Sequence, residues 1–301
     1  MSIEVKNISK VYGKQYALDD VSISIGTGEV VGFLGPNGAG KSTMMKILTT
    51  YISPTQGDAW VAGHHVVEDS MEVRKNTGYL PEHNPLYLEM YVKEYLELVA
   101  GLHGLNKKKQ RVSEMVDMVG LGREAHKQIG ALSKGYRQRV GLAQSLIHDP
   151  AVLILDEPTS GLDPNQLVDI RALIKRIGKE KTVMLSTHIM QEVEAICDRV
   201  IIIDKGRIVT DRAAMDLLGQ GGGHQVLTVE FGSEVTSERL RAIDGVQEVV
   251  HLEGNRFDLI AQEEKDIRSL TFEWAVAEGV TILSQTLKQR SLEDVFKELT
   301  S

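Results

Sequence analysis

A glycine-rich segment near the N-terminus has the residue types and spacing of a phosphate-binding loop. It comprises Gly35, Pro36, Asn37, Gly38, Ala39, Gly40, Lys41, Ser42 and Thr43, and it fits the pattern G-x-x-x-x-G-K-[ST]. Glycines let successive backbone N–H groups turn inward around phosphate oxygens, and a following helix N-terminus adds partial positive charge. The Lys41 ammonium can reach the β- and γ-phosphates, and the Ser42 hydroxyl can ligate Mg²⁺. The segment therefore predicts a site for a nucleotide and Mg²⁺.

Two carboxylates, Asp156 and Glu157, follow a short apolar run at 152–155. The phosphate loop itself follows a similar run at 30–34 and precedes a helix-like run at 44–49. Short apolar runs favour buried parallel strands, and open parallel sheets bind ligands at the carboxyl ends of their strands. We therefore expect the two carboxylates beside the loop. Asp156 would hold Mg²⁺ through its water shell, and Glu157 would polarise the attacking water.

The segment 132–139 precedes those carboxylates and resembles the signature motif of ABC-transporter ATP-binding subunits, usually Leu-Ser-Gly-Gly-Gln. It keeps Ser133 and Gly135 but has Lys134 and Tyr136 in place of the usual residues. Ser133 is also a good N-cap for the helical pattern that follows it. In the family, the signature of one subunit covers the ATP held by the phosphate loop of another. The resemblance therefore implies that Ser133 and Gly135 contact ATP.

Three further positions resemble ABC-family motifs in the same order along the chain. Asp163 lies in a segment, 160–164, that is similar to the D-loop at the dimer interface. His188 resembles the switch histidine, which contacts the γ-phosphate and orients the attacking water. Tyr12 resembles the aromatic residue that stacks on adenine, a contact that contributes about 1–3 kcal/mol; the alternative is an ordinary exposed strand tyrosine.

Glu82 follows the sequence Tyr-Leu-Pro at 79–81, where the family usually has glutamine. The resemblance implies that this side chain reaches the Mg²⁺ shell and senses the transmembrane partner. A carboxylate is a harder, anionic oxygen ligand for Mg²⁺ than an amide. We therefore expect Glu82 to engage ATP only through the metal. The alternative is a neutral replacement whose side chain points to solvent.

Composition limits the classes of protein that fit. The 301-residue chain is 42% hydrophobic, carries a net charge of −8 and has one cysteine, Cys197. No apolar run approaches the roughly 18–20 residues of a membrane span, and no secretory signal is visible. One cysteine excludes an intrachain disulfide framework. The acidic charge argues against nucleic acid as the main partner.

The chain divides by pattern into two domains. We predict an α/β, P-loop ABC ATPase cassette at 1–218, with an inserted helical subdomain at about 83–148, a glycine-rich linker at 219–224 and an accessory domain at 225–301. The βαββαβ order of the accessory domain favours a small α+β, ferredoxin-like fold. Strands are predicted at 152–155, 182–186, 200–204, 225–231, 246–252, 256–260 and 281–288, and helices at 165–178, 190–198, 237–243, 266–278 and 291–299. Breaks in the helical subdomain are predicted at Gly101, Gly104, Gly120 and Gly130.

One subfamily is closer than the rest. Segments 79–92, 132–145 and 186–206 are similar to gliding-motility-associated ABC transporter ATP-binding subunits. That resemblance implies integral membrane permease subunits as partners, an exporter-like role in motility or secretion, and a cytoplasmic position on the inner face of the cell membrane. Tyr87 and Met90 lie where the family meets its permease, although a core stripe would also account for residues of this type. Export of lipid, polysaccharide, drug or sodium stays open, because close relatives share this cassette.

A second cassette is also implied, since each ATP needs a phosphate loop and a signature from different subunits. We expect a homodimer with two symmetric sites. A soluble ABC ATPase of translation or DNA repair is a less favoured alternative, because such proteins commonly carry two cassettes or a long coiled-coil insertion. A non-hydrolysing regulatory cassette is disfavoured by the intact Lys41, Asp156, Glu157 and His188.

Overall fold

A computed structural model describes residues 1–187, 189–217, 226–262, 265–288, 296 and 299–300. The chain divides into two compact units, Met1–Asp211 and Arg212–Leu299. This division falls slightly before the predicted domain end at 218, and the predicted linker at 219–224 lies outside the described residues.

The first unit alternates strands and helices. Its strands are β1 (Ile3–Tyr12), β2 (Gln15–Ile25), β3 (Val30–Leu34), β4 (Gln56–Val61), β5 (His64–His65), β6 (Thr77–Leu80), β7 (Val152–Asp156), β8 (Thr182–Ser186), β9 (Arg199–Asp204) and β10 (Arg207–Ala213). Its helices are α1 (Lys41–Leu48), α2 (Ser70–Asn76), α3 (Val92–Leu102), α4 (Lys108–Met118), α5 (Lys134–Leu146), α6 (Pro164–Gly178) and α7 (Met190–Ile196). The strands predicted at 152–155, 182–186 and 200–204 are confirmed to within one residue.

A six-stranded sheet in the order β10-β9-β3-β8-β7-β6 positions the predicted site. The strand β3 pairs in parallel with β8 and β9, and β7 pairs in parallel with β6 and β8. Every residue of β3, β7 and β8 is buried, as their continuous apolar runs predict. Because parallel strands end at the same edge, the segments that follow these three strands lie side by side.

A second sheet, in the order β2-β1-β4-β5, is antiparallel at each pairing. One core cluster includes buried residues from both sheets and from α1. The helix contributes Met44, Met45, Ile47 and Leu48, all with no exposed surface. Burying each such side chain contributes about 1.5–3 kcal/mol. This packing fixes the helix that begins at Lys41.

Three helices, α3, α4 and α5, follow one another between β6 and β7. Gly104 and Gly120 take positive φ angles of 70° and 71° just after α3 and α4, which confirms two predicted breaks. The break predicted at Gly101 is confirmed to within one residue, because α3 ends at Leu102. The buried face of α3, which includes Leu96 and Val99, outweighs the roughly 1 kcal/mol cost of a helical glycine. None of the helices in the described part of the chain is long and apolar enough to cross a bilayer.

The second unit begins with α8 (Ala214–Leu217) and continues as a mixed set of strands and helices. These are β11 (Val226–Phe231), α9 (Ser237–Leu240), β12 (Val246–His251), β13 (Arg256–Ala261), α10 (Arg268–Ala277) and β14 (Ile282–Lys288). The sheet order is β12-β13-β11-β14, and each pairing is antiparallel. Phe231 and Phe257 lie in its own buried core. Most of the helix predicted at 291–299 lies outside the described residues.

Candidate functional site

One cavity of about 400 Å³ opens at the carboxyl edge of the six-stranded sheet. It brings the phosphate loop, both predicted carboxylates and Glu82 together. Its lining residues are Ala17, Asn37, Gly38, Gly40, Lys41, Ser42, Thr43, Glu82, Asp156, Glu157 and Ser160. The cavity therefore joins residues that are more than 110 positions apart in sequence.

The loop between β3 and α1 requires glycine for steric reasons. Gly40, which precedes the helix, has a φ of 113°, a conformation that L side chains rarely adopt. A Cβ there would lie 2.4 Å from the carbonyl oxygen of Ala17, and a Cβ at Gly35 would lie 2.3 Å from that of Ile203. The loop is therefore a close-packed backbone cradle, which is the form that phosphate binding needs.

Lys41 is a buried cation within this cradle. Its Nζ donates hydrogen bonds to the carbonyl oxygens of Gly35 at 2.6 Å and Pro36 at 3.1 Å. Burial lowers the pKa of Lys41, and the negative charges of Glu157, Asp156 and Glu82 oppose that shift. The ammonium therefore lies among three carboxylates at the loop, where a bound phosphate would meet it.

Asp156 is held at the end of β7 by a neighbouring strand. The Ser186 hydroxyl at the end of β8 donates a 2.6 Å hydrogen bond to Oδ1 of Asp156. The same hydroxyl accepts the backbone N–H of Glu157 at 3.1 Å. One side chain thus fixes both members of the carboxylate pair relative to β8.

Glu157 has a φ of 49°, in the left-handed region that costs a non-glycine residue about 1 kcal/mol or more. Hydrogen bonds on both sides hold this conformation. Its N–H bonds to Ser186, and its carbonyl accepts the N–H of Ser160 at 3.2 Å. The resulting tight turn places the Glu157 carboxylate on the cavity wall.

The segments that contain Ser133, Gly135 and Asp163 pack on each other, and these three residues are not among those that line this cavity. Ser133 caps α5, and its hydroxyl accepts the Tyr136 N–H at 3.4 Å, as predicted for an N-cap. A Cβ on Gly135 would lie 2.2 Å from Oε1 of Gln166 on α6. Asp163 caps that helix by accepting the Gln166 N–H at 3.0 Å. Within a single chain, Ser133, Gly135 and Asp163 therefore do not line the cavity that holds the phosphate loop.

Lys134, one of the two departures from the usual signature, lies against the D-loop-like segment. A Cβ on Gly161 would lie 2.2 Å from the Nζ of Lys134. Gly161 itself has a φ of 69°, a backbone conformation that favours glycine. This contact between the two motifs was not predicted.

Comparisons with known proteins agree with this geometry. The ABC transporter family model matches residues 18–160. The linearmycin resistance ATP-binding protein LnrL of Bacillus subtilis is 33% identical over 305 residues, covering 99% of this chain and 98% of that protein. The bacitracin transport ATP-binding protein BcrA of Bacillus licheniformis is 32% identical over 301 residues, covering 99% and 96%. This chain belongs to the ABC transporter ATP-binding proteins.

Solved structures support the same conclusion. The ATP-binding cassette MJ0796, in a dimeric post-hydrolysis state bound to ADP and Pi, matches with a TM-score of 0.65 and 28% identity. The match covers 70% of this chain and 98% of that one. The P-loop cassette fold predicted from the sequence is therefore confirmed. As an ABC ATPase, the chain binds and hydrolyses ATP.

The oxygen donors of this ABC ATPase fit Mg²⁺. Ser42, Asp156 and Glu82 line the cavity, and Mg²⁺ favours hard oxygen ligands. Within the described residues, no group of three His, Cys, Asp or Glu side chains is arranged to hold a metal by itself. Mg²⁺ is usually held by one or two protein groups together with substrate phosphates and water. Burial raises the pKa of Tyr79 to about 12, and the negative charges of Asp156 and Glu82 contribute to this increase.

Tyr12 and His188 are two further predicted site residues that are not placed at the cavity. Tyr12 ends β1 with 53% of its surface exposed, and the Lys10 ammonium lies 5.3 Å from the centre of its ring. It is not among the cavity-lining residues, so its stacking on adenine stays a prediction. His188 lies outside the described residues, and its role also stays a prediction.

Three residues of the ABC ATPase site were not predicted from the sequence. Ala17 and Ser160 line the cavity, and Ser186 orients both carboxylates. Ser160 lies in the D-loop-like segment 160–164, three residues after Glu157, and could have been inferred from that position. Ala17 carries no chemical group that would mark it, and it contributes through the close approach of its backbone to Gly40.

Proposed function

We propose that this ABC ATPase powers an exporter-type transporter, and that its hydrolytic site is the cavity described above. The proposal rests on one observation, which is that Lys41, Asp156 and Glu157 line the same cavity. The phosphate loop and Lys41 bind the phosphates of ATP. Charge-assisted hydrogen bonds of this kind are about twice as strong as neutral ones.

Glu157 acts as the group that polarises the attacking water. Its backbone conformation is held by Ser186 and Ser160, so its carboxylate is positioned before ATP binds. Ser42 and Asp156 hold Mg²⁺, which when bound neutralises charge that develops on the phosphate oxygens. Glu82 adds a third oxygen donor to that shell. His188 contacts the γ-phosphate in this proposal, by resemblance to the family motif.

The complete site requires a second cassette. Ser133, Gly135 and Asp163 do not line the cavity of their own chain, so we assign them to the ATP of a partner. The related cassette MJ0796 is dimeric in its solved structure. A homodimer with an isologous interface would give two equal sites, each with one phosphate loop and one signature.

A permease contact fits the surface near Tyr87. Tyr87 is 61% exposed, whereas Tyr95 is 4% exposed and packs edge-on against the Tyr87 ring at 5.9 Å. The core-stripe alternative therefore accounts for Tyr95, and Tyr87 remains available to a partner. Exposed, rigid aromatic residues are favoured in interfaces. We propose that Tyr87 and Met90 meet an integral membrane permease, which would place this subunit on the inner face of the cell membrane.

The transported substrate is proposed at the level of class. The two relatives compared above are named for linearmycin resistance and bacitracin transport. They favour export of a drug-like molecule by this chain as well. The gliding-motility or secretion role rests on the similarity of three sequence segments alone, and it is the second candidate.

The domain assignments are part of the same proposal. Helices α3 to α5 would form the inserted helical subdomain of the cassette. The second unit would be a ferredoxin-like accessory domain, because its βαββαβ order and its sheet order β12-β13-β11-β14 are those of that fold.

Affinity purification from detergent-solubilised membranes tests the proposal. The bait is the full-length Glu157→Gln variant with ATP, and the Lys41→Ala variant is the matched control. We expect a multi-pass permease and further copies of this chain in the first sample, with less of both in the control. Recovery of a nucleic-acid complex or of no integral membrane protein, from cells in which the wild-type chain releases phosphate from ATP, would contradict a transporter role.

A further inference from the structure

A buried carboxylate lies behind the site, outside the set of residues assigned above. Glu192 is in the first turn of α7 and has no exposed surface. Its Oε2 accepts hydrogen bonds from the hydroxyls of Thr159 at 2.5 Å and Thr187 at 2.9 Å. Both threonines are themselves buried. A fully buried carboxylate is rare in proteins unless it is paired, so this arrangement calls for a reason.

The two threonines belong to the two chain segments that shape the hydrolytic site. Thr159 follows Glu157 by two residues, within the turn that the Glu157 carbonyl closes. Thr187 follows Ser186, whose hydroxyl contacts Asp156 and the Glu157 backbone. Glu192 therefore links the segment that follows β7 to the segment that follows β8. Ser186 makes a separate link between the same two strand ends.

The Thr187 hydroxyl also makes a second hydrogen bond, to the backbone. Its hydroxyl oxygen accepts the backbone N–H of Ile189 at 3.1 Å while the hydroxyl hydrogen goes to Glu192. A hydroxyl that bonds the amide two residues later fixes a local turn. Through the Thr187 hydroxyl, Glu192 is thus linked to the backbone N–H of Ile189.

The charge of Glu192 is balanced from a third element. Nη2 of Arg171 on α6 lies 3.9 Å from Oε1 of Glu192. Within the described residues, Oε1 has no hydrogen-bond partner, and neither does Nε of Arg171. Among the described residues, Oε2 therefore makes both hydrogen bonds to the threonines, and Oε1 makes the ionic contact with Arg171.

We propose that Glu192 is a positioning residue for ATP hydrolysis, which acts by clamping Thr159 and Thr187 so that Glu157 keeps its catalytic orientation. It touches neither the cavity nor the phosphate loop among the described contacts, so it acts through other residues. The inference rests on the proposed role of Glu157. A clamp of this kind affects turnover more than ATP affinity, because the phosphate loop is built separately on β3 and α1.

Steady-state ATPase assays of the full-length chain, together with ATP-binding and melting measurements, test this role. Glu192→Gln keeps the shape of the side chain but removes its negative charge, so the two threonine hydroxyls lose a charged acceptor and Arg171 loses its ionic partner. We expect kcat to fall about tenfold, since small misplacements of catalytic groups cost at least this much. We expect the Kd for ATP to stay within about twofold, because its binding groups are untouched. Glu180→Gln, which changes an exposed glutamate after α6, is the matched control and should match wild type.

The threonines separate positioning from general stability. Thr159→Val should lower kcat as Glu192→Gln does, and Thr159→Ser should restore it, because serine keeps the hydroxyl. The double variant Glu192→Gln, Thr159→Val should lose little more than either single variant if both act through one contact. Unchanged kcat in Glu192→Gln and Thr159→Val would overturn the inference. Parallel losses of kcat, ATP affinity and melting temperature would also overturn it, by showing a purely structural role.

Glu157→Gln is included to keep the two proposals distinct. If it retains wild-type turnover, the assignment of Glu157 fails and the clamp has no target. If Glu157→Gln is inactive while the Glu192 and Thr159 variants turn over ATP like wild type, only the positioning role of Glu192 fails.

Discussion

The Ser186 hydroxyl lies 2.6 Å from Oδ1 of Asp156 and joins the carboxyl ends of two adjacent parallel strands. Asp156 is nearly fully buried, so this bond meets part of its need for hydrogen-bond donors. The same serine hydroxyl accepts the Glu157 N–H. The proposed metal ligand and the proposed water-polarising group are thus set by one side chain, and neither can shift along β7 without breaking a contact with β8.

Glu157→Gln should retain ATP binding and lose most turnover. The amide cannot accept a proton from the attacking water, and general base catalysis typically contributes about 10²–10⁴-fold. The backbone turn at this position should survive, because its hydrogen bonds use only main-chain groups of Glu157. Size-exclusion chromatography with ATP should show an accumulated closed dimer. Wild-type rates of phosphate release from the variant would refute the role of Glu157.

Lys41→Ala should weaken ATP binding. The substitution removes a charge-assisted contact to phosphate, and hydrogen bonds to charged groups contribute about 1.5–3 kcal/mol, or at least tenfold in Kd. It also removes the bonds that Nζ donates to Gly35 and Pro36. Filter binding or a fluorescent ATP analogue measures the effect. Undiminished binding by a correctly folded variant would count against the phosphate-loop assignment.

The elements around the phosphate loop could be predicted because local chemistry decides them. The run at 30–34 is buried strand β3, and Gly40 has a φ of 113°, a local backbone conformation that favours glycine. Ser133 and Asp163 could also be predicted as structural features, since N-caps have strong residue preferences. In each of these positions, the signal lies within a few residues of the feature it predicts.

Features that depend on tertiary contacts could not be predicted. Glu192 looks like an ordinary helical glutamate in sequence, and only the packing of α7 behind β7 and β8 buries it beside Thr159 and Thr187. Tyr12 was predicted from motif order, which gives its position along β1 but not the orientation of its ring relative to the cavity.

A chain that ends at Gly219 should fold and bind ATP. The first compact unit, Met1–Asp211, holds the strands of the six-stranded sheet through β9 and all of the residues that line the cavity. Its core is a separate cluster from that of the second unit. Thermal unfolding of the truncated chain with and without ATP is the measurement, with the full-length chain as the reference. Insoluble protein or loss of a cooperative transition would show that the second unit is required for folding.

The stability of the chain should fall as the pH drops from about 6.5 towards 4 because of His148. Burial, followed by the neighbouring His103 ring stacked at 3.9 Å, lowers the pKa of His148 to about 4 from 6.5. In this window the unfolded chain takes up a proton at His148 that the folded chain does not, so protons favour unfolding. His148→Gln should therefore flatten the pH dependence of the free energy of unfolding, measured by urea denaturation. The exposed His126→Gln variant is the control, and an identical slope in His148→Gln would contradict the prediction.

The final prediction concerns Glu82, which lines the cavity with Ser42 and Asp156 and contributes to the charge around Lys41. A carboxylate near the γ-phosphate is unfavourable unless a cation lies between them. If Glu82 reaches ATP through Mg²⁺, Glu82→Gln should keep full activity at saturating Mg²⁺ but need more Mg²⁺ for half-maximal hydrolysis, because an amide is the weaker ligand. Titration of Mg²⁺ against ATPase rate decides this, with the exposed Glu180→Gln variant as the control. Superimposable curves for wild type and Glu82→Gln would mean that Glu82 has no role at the metal. Its charge would then act only on Lys41, whose pKa it raises.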